Sequence, residues 1–112
     1  MSELSEHIRD VFQSFGRVEV RRMFGGYGLY HRGLMFALMA DEVLYLKADA
    51  ENAPDFQALG LPQFEYERRG KSVRMSYYRA PDSVMESLDE AAHWARRSFE
   101  AAARGRRRPR AG

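Results

Sequence analysis

Six consecutive apolar residues, Leu34-Met35-Phe36-Ala37-Leu38-Met39, put carbon on both faces of any strand they form, so the fold must offer them a central sheet position covered on each side. Turn residues bracket the run, with Arg32-Gly33 before it and Asp41-Glu42 after it. Upstream, Val18-Glu19-Val20-Arg21-Arg22-Met23 reads as a strand, Phe24-Gly25-Gly26 as a turn, and Tyr27 to His31 as a second strand. Downstream, Val43-Leu44-Tyr45-Leu46-Lys47 completes a meander.

Helical spacing frames this meander. Leu4, Ile8, Val11, Phe12 and Phe15 predict a first helix over about 3–15, with Ser2 or Ser5 as cap and Gly16 as stop. Asp49 is placed to cap a short helix through Phe56 and Leu59 that stops at Gly60. Two further strands alternate more cleanly: Phe64 and Tyr66 oppose Glu65 and Glu67, and Val73, Met75 and Tyr77 oppose Arg74, Ser76 and Tyr78. After Ala80-Pro81-Asp82, overlapping capping boxes at Ser83/Glu86 and Ser87/Glu90 predict a short turn and a restart near Ser87. The long helix that follows carries Leu88, Ala91, Ala92, Ala95, Phe99 and Ala102 on one stripe, Trp94 at its flank, and Gly105 as its end. The expected fold class is α+β: an antiparallel sheet of about six strands with an N-terminal, a short middle and a long C-terminal helix.

The 112 residues suffice for one domain with a core of its own. There is no cysteine, which excludes thiolate nucleophiles, cysteine-based zinc sites and a disulfide scaffold and fits a cytoplasmic setting. Acids near the N-terminus and the absence of an apolar run of about 20 residues point away from a signal peptide and a membrane. Charge is divided by position. Of 18 basic residues, Arg104, Arg106, Arg107, Arg108 and Arg110 lie in an acid-free tail, leaving residues 1–103 with 13 against 16 acids, a net of −3. The chain therefore divides into a folded domain, 1–103, and a disordered arginine-rich tail, 104–112, whose removal should leave stability unchanged.

No catalytic constellation, metal site or cofactor is expected. Gly25, Gly26 and Gly28 resemble a phosphate loop only superficially, because a dinucleotide fingerprint needs a further glycine where His31 stands and a helix where the pattern reads strand. They are read as turn glycines supplying positive φ. His7, His31 and His93 fall on separate elements, Ser76 lacks the glycines of a nucleophile elbow, and Glu65 and Glu67 suit a solvated strand face. The strand aromatics read mainly as core, with Tyr78 the exception: sharing a face with Arg74 and near Arg79, it is a candidate for stacking on a base or anchoring a protein.

Specific residues carry more than pattern. Arg22-Met23-Phe24-Gly25-Gly26-Tyr27-Gly28-Leu29-Tyr30, Gly33-Leu34-Met35-Phe36-Ala37-Leu38, Leu44-Tyr45-Leu46-Lys47-Ala48-Asp49 and Met75-Ser76-Tyr77-Tyr78-Arg79-Ala80-Pro81 occur in order. Together with Trp94-Ala95-Arg96-Arg97 they resemble the N-terminal domain of the TfoX/Sxy family over nearly the whole chain. The resemblance implies a regulator of natural competence that co-activates transcription of DNA-uptake genes beside the cyclic-AMP receptor protein. Such members carry a second, C-terminal domain that these residues do not include, and no catalytic or ligand residue comes with the motif.

The leading expectation is a non-enzymatic regulatory module that binds a protein partner, a regulator or part of the transcription machinery. A weak, non-specific DNA binder using the arginine tail is the alternative, and an enzyme with a polar pocket near the glycine turn is a third reading. Candidate contacts are Arg74, Tyr78, Arg79, Arg104, Arg106, Arg107, Arg108 and Arg110. The sequence leaves the oligomeric state open, a homodimer included.

Overall fold

The computed structural model of the protein describes residues 3–23 and 25–107. Its elements follow as α1 (Glu3–Val11), β1 (Glu19–Met23), β2 (Gly26–His31), β3 (Leu34–Ala40), β4 (Val43–Lys47), α2 (Ala53–Ala58), β5 (Gln63–Arg68), β6 (Lys71–Arg79), α3 (Ser83–Glu86) and α4 (Leu88–Arg107). All six strands join one antiparallel sheet in the order β1-β2-β3-β4-β6-β5. The fold is α+β, with β3 interior and Phe36 and Leu38 buried, as the two-sided apolar run requires. The β5–β6 hairpin returns its second strand against β4, which leaves β5 at the edge.

All four helices contribute to one apolar cluster on a single face of the sheet. Ile8 and Val11 of α1, Phe56 of α2, Val84 of α3 and Ala91 and Ala95 of α4 meet Leu29, Phe36, Met39 and Leu46 there. Small side chains let α4 lie close to the strands: its buried residues are Ala91, Ala92, Ala95, Ser98 and Ala101. Leu88, expected on this stripe, is 46% exposed, because burial of α4 begins only at Ala91.

Helix ends depart from expectation for physical reasons. α1 stops at Val11 rather than near residue 15, and the chain tightens into a turn in which Phe15 N–H and Gly16 N–H both donate to the Phe12 carbonyl at 3.0 and 3.1 Å. That turn sets the rings of Phe12 and Phe15 5.4 and 5.1 Å from Phe36. The caps proposed at Ser2 and Ser5 lie outside the described residues and side chains. Asp49 does not cap α2; its Oδ1 accepts from Glu51 N–H and Asn52 N–H, closing the turn before the helix. Buried Asn52 fastens the same turn, accepting from Asp49 N–H at 2.7 Å and donating to the Lys47 carbonyl at 3.0 Å. Ser87 Oγ accepts from Glu90 N–H at 3.2 Å, so the helix restarts where the capping box placed it. Ser83 departs from its own box: its hydroxyl donates to Glu90 Oε1 instead of pairing with Glu86.

At the far end α4 continues through Gly105 to Arg107, so Arg104, Arg106 and Arg107 are helical rather than part of a loose tail. One glycine weakens a helix by only about 1 kcal/mol, and cations in the last turn complement the helix dipole. Arg108 and Arg110 lie outside the described residues.

Candidate functional site

Directly paired residues of an antiparallel sheet point to the same side. One row therefore crosses five strands on the face away from the helices: Arg21, Gly28, Leu38, Tyr45 and Arg79. The same side takes Tyr30 opposite Glu19, Lys47 opposite Tyr77, and Tyr66 opposite Val73. Leu38 and Tyr77 are buried but belong to no part of the helix-side cluster, so they are covered by their neighbours on this second face.

Those neighbours are aromatic, thioether and cationic. Phe64 stands 4.7 Å from Tyr45 and 6.2 Å from Tyr66, centroid to centroid. The Arg21 guanidinium sits 4.5 Å above Tyr30 while bonding Glu19 at 3.1 Å, and Lys47 Nζ lies 5.1 Å from the centre of the Tyr77 ring. Burial lowers the Lys47 pKa against the opposing pull of Asp49, and burial, helped by Tyr30, pushes the Tyr77 hydroxyl up to about 12. Between Met23, Leu38, Phe64, Tyr66 and Met75 runs a groove of about 300 Å³, mostly apolar in its lining.

The glycines shape this face rather than a phosphate nest. Gly25 has φ +70 and forms the turn. Gly26 and Gly28, also read as turn residues, lie inside β2 and have no positive φ. A Cβ at Gly26 would run into the Met39 carbonyl oxygen, and one at Gly28 would sit 2.9 Å from Met23 Sδ, 3.0 Å from Tyr30 and 3.1 Å from Met35 Sδ. Glycine is required at Gly26 because backbone closes in on it, whereas the neighbours of Gly28 are side-chain ends that can shift. Phe24, the first residue of the expected turn, lies outside the described residues.

The candidate contacts scatter. Tyr78 shares a face with Arg74 as the alternation indicated, but that is the helix-covered side: its ring stacks on Phe56 at 5.2 Å with 13° between planes, and its hydroxyl accepts from Gln57 Nε2 at 3.0 Å. Arg74 bonds Glu65 at 2.7 Å on the same side, beyond the reach of the helices. Arg79 alone of these three joins the helix-free face. Arg104 is committed internally, donating to both oxygens of Asp49 at 2.6 and 2.9 Å and pairing with Glu51 at 2.7 Å. This clamp holds Asp49 at a pKa of about 2, chiefly through the Arg104 hydrogen bond. Arg106 and Arg107 are exposed on the last turn of α4. The residues missed were Tyr45, Lys47, Phe64, Tyr66 and Met75. Their alternation was visible, and only the side taken by the helices was not.

Residues considered for catalysis remain apart. His31 Nδ1 lies 2.8 Å from the Arg17 carbonyl, its ring packed between Phe15 and Phe99. Ser76 is exposed on β6, and its carbonyl accepts from Ala48 N–H. No group of three or more His, Asp or Glu among the described residues is placed to hold a metal ion, and no helix among them is long and apolar enough to cross a membrane.

Comparison with known proteins places this surface in a family. Residues 10–102 match the model of the TfoX N-terminal domain. The chain is 30% identical over 98 residues to DNA transformation protein TfoX1 of Aliivibrio fischeri, covering 81% of this chain and 47% of that protein. It is 28% identical over 94 residues to Protein Sxy of Escherichia coli, covering 84% and 45%. It is 32% identical over 93 residues to DNA transformation protein TfoX of Haemophilus influenzae, covering 78% and 43%. The chain thus spans a little under half the length of these relatives, and its matched region runs from the end of α1 into the last turns of α4. A match over residues 10–102, which takes in all six strands, makes this protein a member of the TfoX N-terminal domain family.

Proposed function

We propose that the chain is a non-enzymatic regulatory module that acts in DNA transformation by contacting the machinery that transcribes DNA-uptake genes. The family match over residues 10–102, with relatives named for DNA transformation, is the observation that carries this reading. The groove beside the glycine turn supports it over the enzyme reading. It is lined by Met23, Leu38, Phe64, Tyr66 and Met75, without converging acids, bases or nucleophiles. The family resemblance implies co-activation beside the cyclic-AMP receptor protein, with the partner a regulator or part of the transcription machinery. The test is deletion of the gene in its native host, followed by measurement of transformation frequency and DNA-uptake transcripts. Both should fall and return when the chain is supplied from a plasmid, and unchanged transcripts with unchanged transformation would overturn the reading.

A further inference from the structure

We infer that the helix-free face of the sheet binds single-stranded nucleic acid, with bases stacked on its exposed aromatic rings and phosphates held by cations around them. Charge is the first support. Residues 1–103 carry a net of −3, yet this face concentrates Arg21, Lys47, Arg68, Lys71 and Arg79. Glu19 is the sole acid on it among the described strand residues, and Glu19 is paired with Arg21. The surface therefore selects an anionic partner. A second copy of the same face would set like charge against like charge, which disfavours self-association here.

Ring placement is the second support. Tyr30, Tyr45, Phe64 and Tyr66 stand on three strands of this face, β2, β4 and β5, each partly open to solvent. An acidic protein would satisfy the cations and leave this spread of rings without a role. Bases stack on such rings regardless of sequence, and phosphates follow a cationic margin. The row from Arg21 through Leu38 and Tyr45 to Arg79 has that order, with cations at its ends and apolar side chains between. Arg68 and Lys71 pair at the β5–β6 turn and extend the margin beyond Tyr66.

This inference concerns the ligand of one face and stands independently of the role in transformation, so either can fail alone. The test is fluorescence anisotropy of labelled (dT)20 with the full chain at several salt concentrations. Saturable binding is expected, weakening with salt by about 0.7 in log–log slope per phosphate held. Tyr66→Ala should weaken it about tenfold, the scale of one lost stacking contact. Arg68→Gln/Lys71→Gln/Arg79→Gln should flatten the salt slope by about 2. These side chains are exposed, and unchanged thermal unfolding of each variant establishes that the fold is intact. Arg108→Gln/Arg110→Gln should leave most of the affinity. No binding by the full chain would overturn the inference, as would binding that survives Tyr66→Ala and the triple variant but disappears with the tail variant. Equal affinity for polyglutamate of the same charge would also overturn it, assigning the face to an acidic protein instead.

Discussion

Tyr77 and Tyr78 are sequence neighbours on opposite faces of β6, and their fates differ because of what lies across from each. Tyr78 meets Phe56 of α2 and becomes part of the packed layer, whereas Tyr77 is buried on the other face beneath Lys47. Alternation separated the two correctly. It could not say which face the helices would take, since both sets contain apolar rings, and the face assigned to the core was the helix-free one. Phe36 was less ambiguous, being apolar on both sides of its run. Fully buried against Phe12 and Phe15, it should lose about 3 to 5 kcal/mol on Phe36→Ala by denaturant unfolding, and a loss below about 1 kcal/mol would contradict its place in the core. Neighbouring glycines separate two mechanisms. Gly25→Ala meets open space and pays only for its positive φ, about 1 to 2 kcal/mol. Gly26→Ala drives a methyl into the Met39 carbonyl and should be the more destabilising of the two in the same measurement. Equal losses would remove the close approach as the reason for Gly26.

At the scale of elements, the meander was legible because Gly33 and Asp41-Glu42 leave connections too short for anything but antiparallel neighbours. The end of α4 was not. Gly105 and the arginines signal a stop in local terms, but Arg104 meets Asp49 from 55 residues away, and no spacing rule registers that pairing. Deleting residues 104–112 should therefore lower the thermal midpoint rather than leave it unchanged. The clamp has a pH signature. The folded-state pKa of Asp49 is depressed from 3.8 to about 2, so its stabilisation is fully present above about pH 4 and disappears as pH falls through 2. Arg104→Gln should lose about 1 to 2 kcal/mol at neutral pH. That gap from the unmodified chain should close between pH 4 and pH 2. A gap independent of pH would mean that the clamp contributes through packing alone.

For the molecule as a whole, formal charge conceals where charge resides. The +2 total places its excess in the C-terminal arginines, but the strands gather cations on one face of a domain whose remainder is acidic. Net charge by segment could not expose this, because the relevant grouping is by sheet face and depends on register. The helices cover one side of the sheet and leave the other to rings, thioethers and cations, and the central claim is that this second side is the working surface. Chemical-shift mapping by NMR during titration with a short single-stranded oligonucleotide tests it most directly. The largest changes should fall on Tyr30, Tyr45, Tyr66 and Met75, with Ala91, Ala95 and Ser98 of α4 unmoved; changes confined to α4 or to the C-terminal arginines would contradict it.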